Sequence, residues 1–240
     1  KKKWFHEDEH GETVTVKFWD NSYPSYLSEL AKDSLLKNNA DGIMLDWWQD
    51  KQLLKSTGLL IFQAKKATTN IAKSLRNTLG DHAVILGNVG WTFNKTTTKY
   101  INGVFLELYK SPGVERYNTN EIFKMETLLS FYDQNLQNPR LIAMAPWRVS
   151  KLNDPLAIPP DSKENIQYAK LFTAMTVVVP KNGYILYSDN NWDTDDMGNA
   201  LEDYGSVYYD FYDFDIGKPT SKYIKVGSGF GYNKNRSENH

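Results

Sequence analysis

The sequence predicts an α/β protein of the (β/α)8 TIM-barrel class, in which parallel strands alternate with helices. Five apolar runs of six or seven residues lack the alternation of half-buried strands, which is typical of strands buried on both faces. Amphipathic helical patterns separate these runs. Such an order gives either an open doubly wound sheet or a closed barrel. No Gly-x-Gly-x-x-Gly motif follows any run, which removes the usual support for a dinucleotide-binding sheet, so the barrel is favoured.

The predicted elements are fewer than a complete barrel requires. A run over residues 13–19, which alternates more than the others, brings the count to six strand–helix units, whereas a barrel needs eight. Either the first two units are absent from this chain or the barrel is incomplete. The connection over 92–102 is short for a crossover, so its helix is expected to be brief or missing. The buried strands are predicted over 42–48, 83–89, 103–109, 141–147 and 183–188, and the helices over 26–37, 59–79, 121–136 and 163–174.

The chain length of 240 residues fits one large domain. We expect this domain over 13–220, after a ragged N-terminal segment, 1–12, and before a C-terminal tail, 221–240. No run approaches the ~18 apolar residues of a membrane span, and the first residues lack the apolar stretch of a signal peptide. The compartment therefore stays open, with a secreted or periplasmic location favoured if a signal peptide has been removed.

The composition narrows the chemistry and the partners. Apolar residues make up 40% of the chain and charged residues 24%, with a net charge of −1, so neither disorder nor nucleic-acid binding is expected. There is no cysteine, which excludes disulfides, thiol catalysis and cysteine-ligated metals. The aromatic share of 14% exceeds what a core alone needs, and aromatic rings stack well on the apolar faces of sugars. A carbohydrate partner is therefore favoured, and the oligomeric state stays open.

Two carboxylates interrupt apolar runs at strand ends, where barrel enzymes place their catalytic groups. Asp46 follows the run GIML and Glu107 follows GVFL. An acid at the end of a buried strand costs desolvation energy, so its presence needs a reason. With 13–19 as the third strand, the two acids lie on strands four and six and project into the same mouth of the barrel. The alternative is that each acid is only salt-bridged by a Lys or Arg near the barrel top.

The functional explanation for the two strand-end acids is that they form the catalytic carboxylate pair of a glycosidase. One carboxylate attacks or stabilises the developing oxocarbenium ion, and the other protonates the leaving oxygen. Further polar and aromatic residues at strand ends are suited to bind hydroxyls and to stack on sugar rings, although each of them can equally pack a loop. Trp47 and Trp48 are the best candidates for stacking, and the ring of one of them is expected to face the helix layer. These candidate substrate-binding residues are Asp20, Trp47, Trp48, Asn88, Trp91, Tyr109, Trp147, Arg148, Asp189 and Trp192.

Two motifs resemble metal sites but lack their structural context. The segment HEDEH over 6–10 matches the H-E-x-x-H pattern of zinc proteases, yet it has no apolar face and Gly11 follows it at once. The loop over 189–196 has oxygen ligands at alternate positions, but Thr194 and Ala200 stand where a calcium-binding EF-hand loop needs Gly and Glu. A solvated acidic segment is favoured for both, so neither a metal nor a cofactor is expected.

Three segments carry a resemblance to a known family: ADGIMLD over 40–46, INGVFLE over 101–107 and DIGKP over 215–219. They resemble the hypothetical glycosyl hydrolase family 15 and its barrel relatives, over about 20–219. The resemblance implies a TIM barrel, with a nucleophilic or stabilising Asp46 and with Glu107 as the acid/base. The segment WDNSYP over 19–24 resembles the stretch after the third strand of such barrels, which implies first strands upstream of Lys1.

The chain also departs from the family pattern. Members usually continue after the Gly-Lys-Pro region into a strand with an Arg and a closing G-x-V-x-x-N segment. Residues 222–240 show no convincing version of either, so we expect both ends of the chain to be trimmed. The family implies a fold and a chemistry without a substrate.

The sequence therefore predicts a glycoside hydrolase that cleaves O-glycosidic bonds in a polysaccharide or oligosaccharide. Asp46 is expected to act as nucleophile or base and Glu107 as general acid. Whether configuration is retained or inverted depends on the separation of the two carboxyl groups. The competing class is a non-catalytic carbohydrate-binding barrel, and a zinc peptidase is the weakest alternative.

Overall fold

A computed structural model describes ten strands and four α-helices. It covers residues 5–7, 13–49, 57–110, 114, 116–148, 161–186, 188–189, 192–194, 200–203 and 208–214. In chain order the elements are β1 (Phe5–Glu7), β2 (Thr13–Val16), α1 (Tyr23–Asn38), β3 (Gly42–Leu45), α2 (Ile61–Leu79), β4 (Val84–Asn88), β5 (Gly103–Lys110), α3 (Thr119–Asn135), β6 (Leu141–Arg148), α4 (Lys163–Val178), β7 (Gly183–Ile185), β8 (Ser188–Asp189), β9 (Trp192–Thr194) and β10 (Ala200–Asp203), followed by a 3-10 helix over Asp210–Asp213.

A parallel sheet flanked by helices forms the centre of the fold. Its strand order is β3-β4-β5-β6-β7, and β8 pairs with β6. The register aligns Leu45, the last residue of β3, with Gly87, and Asn88, the last residue of β4, with Phe105, so β5 extends five residues beyond the end of β4. The order along the sheet follows the order along the chain, as expected of strands joined by crossovers on one side. The α/β class predicted from the sequence is confirmed.

The first predicted strand does not belong to this sheet. β2 pairs antiparallel with β1, with Phe5 opposite Val16 and His6 opposite Thr15. The prediction that residues 13–19 form a strand of the parallel barrel sheet is therefore wrong. The physical reason lies in the sequence TVTV, whose strict alternation suits a hairpin with one exposed face rather than a strand buried on both faces.

The first strand of the parallel sheet is also less buried than predicted. β3 begins the strand order, and its residue Met44 is 49% exposed. By contrast, β4 and β5 have other strands on both sides, and Ile85, Val104 and Leu106 are fully buried. The apolar run therefore identifies β3 as a strand correctly. Burial on both faces is incomplete even inside the sheet, because in β5 one face is buried whereas Phe105 and Glu107 on the other face are half-buried and Tyr109 is 40% exposed.

The four predicted helices are all present, and their ends differ from the prediction by a few residues at most. α1 starts three residues earlier than predicted because Pro24, whose fixed φ suits a first helical turn, is part of it. It ends at Asn38, and the next residue, Asn39, adopts the left-handed conformation with φ 49°. α4 is capped by Ser162, whose hydroxyl accepts a hydrogen bond from the backbone N–H of Asn165 at 3.2 Å.

The connection between β4 and β5 contains no helix, as its length predicted. The Tyr132 hydroxyl fixes it instead, because it donates to the carbonyl of Thr92 at 2.7 Å and accepts from the backbone N–H of Asn94 at 2.9 Å. The Asn94 side chain in turn donates to the carbonyl of Trp48 at 3.3 Å. Side chains from neighbouring elements thus replace the helical hydrogen bonds that a longer connection would supply.

The chain forms two compact units, Lys1–Glu107 with Phe131–Ala143, and Leu108–Ser130 with Met144–His240. The core of the first unit includes the fully buried Ile85, Val104 and Leu106, together with Ile71 and Leu75 from α2. That of the second unit includes the buried side chains of Met125, Leu128, Met144, Ala169 and Phe172. Each fully buried Val, Leu, Ile, Phe or Met side chain stabilises the fold by ~1.5–3 kcal/mol.

A buried polar cluster joins α2 to the strands of the first unit at their amino ends. The Arg76 guanidinium donates to the carbonyls of Tyr100, Gly80 and Ala83, at 3.1, 2.6 and 2.9 Å, and to the side-chain oxygen of Asn102. Burial lowers the pKa of Arg76, and Asp81 opposes this shift. The cation is therefore held by neutral oxygens.

The glycine of the INGVFLE segment has a packing role. A Cβ atom on Gly103 would lie 2.3 Å from the carbonyl oxygen of Leu141, which is far inside van der Waals contact. Its neighbour Asn102 accepts from the backbone N–H of Ile85 at 3.1 Å and donates to the carbonyl of Asn138 at 3.1 Å. These two residues of the motif therefore serve the fold at the start of β5, at the opposite end of the apolar run from Glu107.

Among the described helices, none combines the length and the apolar character that crossing a membrane would require.

Candidate functional site

The candidate site lies in the first unit, at the carboxyl ends of three neighbouring strands. Asp46 directly follows β3, and Asn88 is the last residue of β4. Glu107, predicted at a strand end, is the fifth of the eight residues of β5, which continues to Lys110 beyond the end of β4. Parallel pairing brings these ends to one edge of the sheet. Asp46 and Glu107 thus lie on the two strands that flank β4.

A single amide group holds both carboxylates. The Nδ2 atom of Asn88 donates to Oδ1 of Asp46 at 2.9 Å and to Oε2 of Glu107 at 2.7 Å. Its Oδ1 atom accepts from the backbone N–H of Gly90 at 3.3 Å, and this contact fixes which end of the amide faces the acids. Asn88 is only 5% exposed and uses both hydrogens and its carbonyl oxygen. The site therefore has a rigid, neutral centre.

This bridge limits the separation of the two carboxylates. Because both oxygens contact one nitrogen, they lie less than ~6 Å apart, and amide hydrogens directed ~120° apart would place them ~5 Å apart. Retaining glycosidases separate their two carboxyl groups by ~5–5.5 Å, and inverting enzymes by ~6.5–9.5 Å. The two bonded oxygens therefore lie close enough for the retaining geometry, whereas the bridge does not set the distance between the two carboxyl carbons.

No ion pair neutralises either acid within the described part of the chain. The ion pairs found there, Lys110 with Glu121 and Arg116 with Glu164, involve other carboxylates. The described hydrogen bonds of the pair also occupy only one oxygen of each group, Oδ1 of Asp46 and Oε2 of Glu107. Each acid thus has one oxygen fixed by the protein and a second oxygen that no described residue engages.

The residue after Asp46 adopts an unusual backbone conformation. Trp47 has φ 54°, in the left-handed region that bulky residues rarely occupy, and its side chain is 58% exposed. Its backbone N–H donates to Oδ1 of Asp46 at 2.9 Å, so the carboxylate stabilises the turn that holds it. A large apolar ring is therefore presented to solvent beside one of the two acids.

The next tryptophan is buried. Trp48 is 5% exposed, its indole N–H donates to Oγ1 of Thr97 at 3.1 Å, and its backbone N–H donates to the carbonyl of Asn88 at 2.7 Å. A Cβ atom on Gly87 would lie 2.6 Å from its indole ring. Trp48 therefore packs on the end of β4 and supports Asn88, while Trp47 keeps its ring accessible.

A cleft of about 310 Å³ opens on the Asp46 side of the site. It lies among β2, the segment that leads into α1, the end of β3 and α2. Its lining includes Asp46, but Glu107 is not part of it. Aromatic and aliphatic groups dominate the lining, among them Phe18, Tyr23, Leu27, Trp47 and Trp48.

Two other predicted substrate-binding residues of the first unit lie in turns. Oδ1 of Asp20 accepts from the backbone N–H and from the hydroxyl of Ser22, at 2.8 and 2.6 Å, just before α1. Trp91 is half-buried in the turn after Gly90. Asp20 thus fixes a turn next to the cleft, and neither residue belongs to the bridged acid pair or to the cleft lining.

The remaining predicted residues belong to the second unit. Tyr109 and Trp147 pack against each other with ring centroids 4.8 Å apart. Arg148 is 1% exposed, and its Nε donates to the carbonyl of Val114 at 3.0 Å. Asp189 pairs with Arg148 in backbone register, and Trp192 starts β9, but the side chains of these two predicted residues lie outside the described residues.

The two metal motifs have different outcomes. His6 and Glu7 of the HEDEH segment lie in β1, a strand, whereas the zinc protease motif requires a helix. Most of the acidic loop over 189–196 lies outside the described side chains. Within the described part of the chain, no three His, Asp or Glu side chains group closely enough to hold a metal ion.

Sequence reasoning missed two features of the site. It predicted Asn88 as a binder of substrate hydroxyls, whereas its amide is committed to the two acids and to Gly90. It also missed the cleft residues Phe18 and Tyr23, which flank the turn of Asp20. Phe18 lies in the run over 13–19 that was predicted as a strand, and Tyr23 lies in the WDNSYP segment, which drew attention through its resemblance and not through its aromatic side chains.

Fold and site together define an α/β protein with a bridged carboxylate pair at the carboxyl edge of a parallel sheet. No protein-family model matches the chain and no curated protein matches it, so the resemblance to the hypothetical glycosyl hydrolase family 15 stays a prediction.

Proposed function

We propose that the protein is a glycoside hydrolase of TIM-barrel type that cleaves O-glycosidic bonds in a polysaccharide or oligosaccharide with retention of configuration. One observation carries the proposal: the Asn88 amide bridges the carboxylates of Asp46 and Glu107. A protein that used these acids only as surface charges would gain nothing from holding two like charges this close without a cation. A glycosidase needs such a pair on either side of the bond it cleaves.

In the proposed reaction Glu107 is the proton donor and Asp46 is the nucleophile. Glu107 gives its proton to the glycosidic oxygen as the bond to the anomeric carbon breaks, and the leaving group departs as an alcohol. The free oxygen of Asp46 bonds to the anomeric carbon and forms a covalent glycosyl ester. Glu107 then takes a proton from a water molecule, whose oxygen attacks the anomeric carbon and releases Asp46 as a carboxylate.

The assignment of the two roles follows from the surroundings of each acid. Asp46 is exposed and lines the cleft, and its Oδ1 is fixed by Asn88 and by the backbone N–H of Trp47. This anchoring directs the second oxygen without blocking it, as a nucleophile requires. Glu107 is half-buried and lies outside the cleft lining, which suits contact with the departing group.

The test is turnover of a panel of 4-methylumbelliferyl glycosides and soluble polysaccharides by the wild-type chain and by two variants. Asp46→Asn and Glu107→Gln keep the shape of each side chain, so we expect them to fold and to lose about 10³-fold or more in kcat/KM. The matched controls are Asp33→Asn and Glu29→Gln, which alter exposed residues of α1 and should retain full activity.

The same experiment separates hydrolysis from binding alone. A non-catalytic carbohydrate-binding protein would hold a glycan without turnover, and neither Asp46→Asn nor Glu107→Gln would have an activity to remove. Wild-type turnover that both variants keep would exclude the acid pair as the catalytic groups. Absence of wild-type turnover over the whole panel, together with glycan binding, would favour the binding protein.

A further inference from the structure

We infer that the cleft on the Asp46 side holds the glycone, the sugar whose anomeric carbon is transferred, with the ring stacked on Trp47. This inference rests on the proposed function and assigns a substrate-binding site to it. The leaving group would then lie on the Glu107 side, outside the cleft.

The lining of the cleft suits one saccharide unit. Ligand sites are mostly apolar with a small number of convergent polar groups, and here Leu27 and Phe18 supply apolar surface while Asp46 and Thr15 supply polar atoms. A volume of about 310 Å³ is at the small end of the ~300–1,000 Å³ that ligand pockets span. The cleft is therefore better matched to a short saccharide unit than to a long stretch of polymer.

The conformation of Trp47 is the second argument. A non-glycine residue in the left-handed region costs ~1–3 kcal/mol, and such strain is retained chiefly at functional sites. Here the strain does not bury the ring, which stays 58% exposed at the cleft. The strained turn leaves more than half of this side chain exposed, and it gives a sugar an apolar surface next to the carboxylate that would attack it.

Tyr23 supplies a hydrogen-bonding group on the lining of the cleft. Burial raises the pKa of the Tyr23 phenol, and the neighbouring Tyr26 adds to the shift. The phenol therefore stays neutral at and above neutral pH and adds an uncharged polar group to the lining. An apolar platform with a hydroxyl partner is the combination that a sugar requires, because one face of the ring is apolar and its rim carries hydroxyls.

The positions of Asp46 and Glu107 relative to the cleft indicate which part of the substrate it would bind, the glycone. In a retaining reaction the nucleophile lies against the anomeric carbon of the transferred sugar, and the acid faces the oxygen of the leaving group. Asp46 lines the cleft and Glu107 does not. A sugar in the cleft therefore meets the nucleophile first, and its glycosidic oxygen can point toward Glu107.

The test uses simple methyl glycosides of glucose, galactose, mannose and N-acetylglucosamine as probes for direct binding by calorimetry. At least one of them should bind the wild-type chain. Leu27→Trp places a large ring in the cleft and should weaken that binding by about tenfold or more. The matched control is Leu36→Trp, on the same helix at a side chain that is 74% exposed, and it should leave binding unchanged.

A second variant keeps the inference falsifiable if Leu27→Trp fails to fold. Trp47→Ala removes an exposed ring, so it is expected to fold, and it should weaken binding of the same methyl glycoside by about tenfold. The inference is overturned if no methyl glycoside binds the wild-type chain, or if binding survives both Leu27→Trp and Trp47→Ala.

The outcomes also distinguish this inference from the proposed function. If Asp46→Asn and Glu107→Gln abolish turnover while Leu27→Trp and Trp47→Ala keep kcat and KM, the cleft assignment fails and the hydrolase stands. If a methyl glycoside binds in the cleft but the wild-type chain hydrolyses no glycoside, the sugar site stands and the hydrolase fails.

Discussion

Oδ1 of Asp46 and Oε2 of Glu107 are held less than ~6 Å apart because both accept hydrogen bonds from one and the same nitrogen atom, Nδ2 of Asn88. The strand between the two acids thus supplies the group that sets their spacing. Its amide is itself oriented by Gly90, whose φ of 47° forms a turn directly after the strand. A buried neutral side chain, and not a cation, thereby fixes the geometry of two acids.

Loss of this bridge should reduce catalysis more than binding. In Asn88→Ala both acids lose a common hydrogen bond and their alignment, so we expect kcat to fall by about 10²-fold while KM changes little. Steady-state kinetics on the best substrate of the panel measures this split. Asn38→Ala, which removes an exposed amide at the end of α1, is the control. Wild-type kcat in Asn88→Ala would show that the bridge has no part in the reaction.

Replacing Trp47 by glycine should change stability little and weaken sugar binding strongly. Glycine adopts a positive φ without strain, so the relief in Trp47→Gly offsets the partial burial that is lost, and the free energy of unfolding should change by no more than ~1 kcal/mol. KM should nevertheless rise by about tenfold because the platform is gone. Urea unfolding and kinetics together test this.

The matched control for the Trp47 turn is Asn39→Gly. Asn39 has a φ of 49° at the end of α1, so glycine relieves a similar strain there without touching the cleft. It should stabilise the fold slightly and leave KM unchanged. A KM that stays at the wild-type value in Trp47→Gly would contradict the stacking role.

The Arg76 cluster should contribute strongly to stability and not to chemistry. Arg76→Met leaves the side-chain oxygen of Asn102 and the carbonyl of Ala83 without their charged donor, so we expect the free energy of unfolding to fall by ~2–4 kcal/mol. Denaturant titration measures the loss, with Lys73→Met on the same helix, at an exposed position, as the control. A loss below ~1 kcal/mol would mean that water replaces the cluster at little cost.

Alkaline pH should destabilise the fold through buried phenols. Burial raises the pKa of Tyr23 and of Tyr212 above the ordinary value of 10.0, so between about pH 10 and these higher values the folded state binds more protons than the unfolded state. The stability is therefore fully present below about pH 10 and is lost as pH rises through the folded pKa. Urea unfolding at pH 9 and at pH 11 should show a smaller difference in Tyr23→Phe than in the wild-type chain; equal differences would contradict it.

The fold was predictable where local pattern decides it. The runs that became β4 and β5 are mostly apolar and form strands inside the sheet, with one face of β5 buried, and the helices show their apolar stripes. The same reasoning failed for β2, since a four-residue alternating strand fits a hairpin as well as a sheet. Pairing between strands depends on partners that are distant in sequence, and periodicity does not specify them.

The two acids of the candidate site were predictable from the sequence, but the hydrogen bonds and packing around them were not. Asp46 and Glu107 stand out because charge at the end of an apolar strand is costly and therefore informative. The bridge through Asn88 depends on the register of three strands at once, and a shift of one residue would turn its side chain to the other face. The cleft likewise depends on how the segment before α1 packs against β3, which no local pattern encodes.

The most direct test of the central claim is to identify the residue that carries the covalent intermediate. A 2-deoxy-2-fluoro glycoside of the sugar selected by the turnover panel should accumulate a glycosyl ester, and peptide mass spectrometry should locate the added mass on Asp46, with no label in Asp46→Asn. A label on a different residue, or turnover that proceeds with inversion of configuration and without any label, would contradict the assignment of Asp46 and Glu107 as a retaining pair.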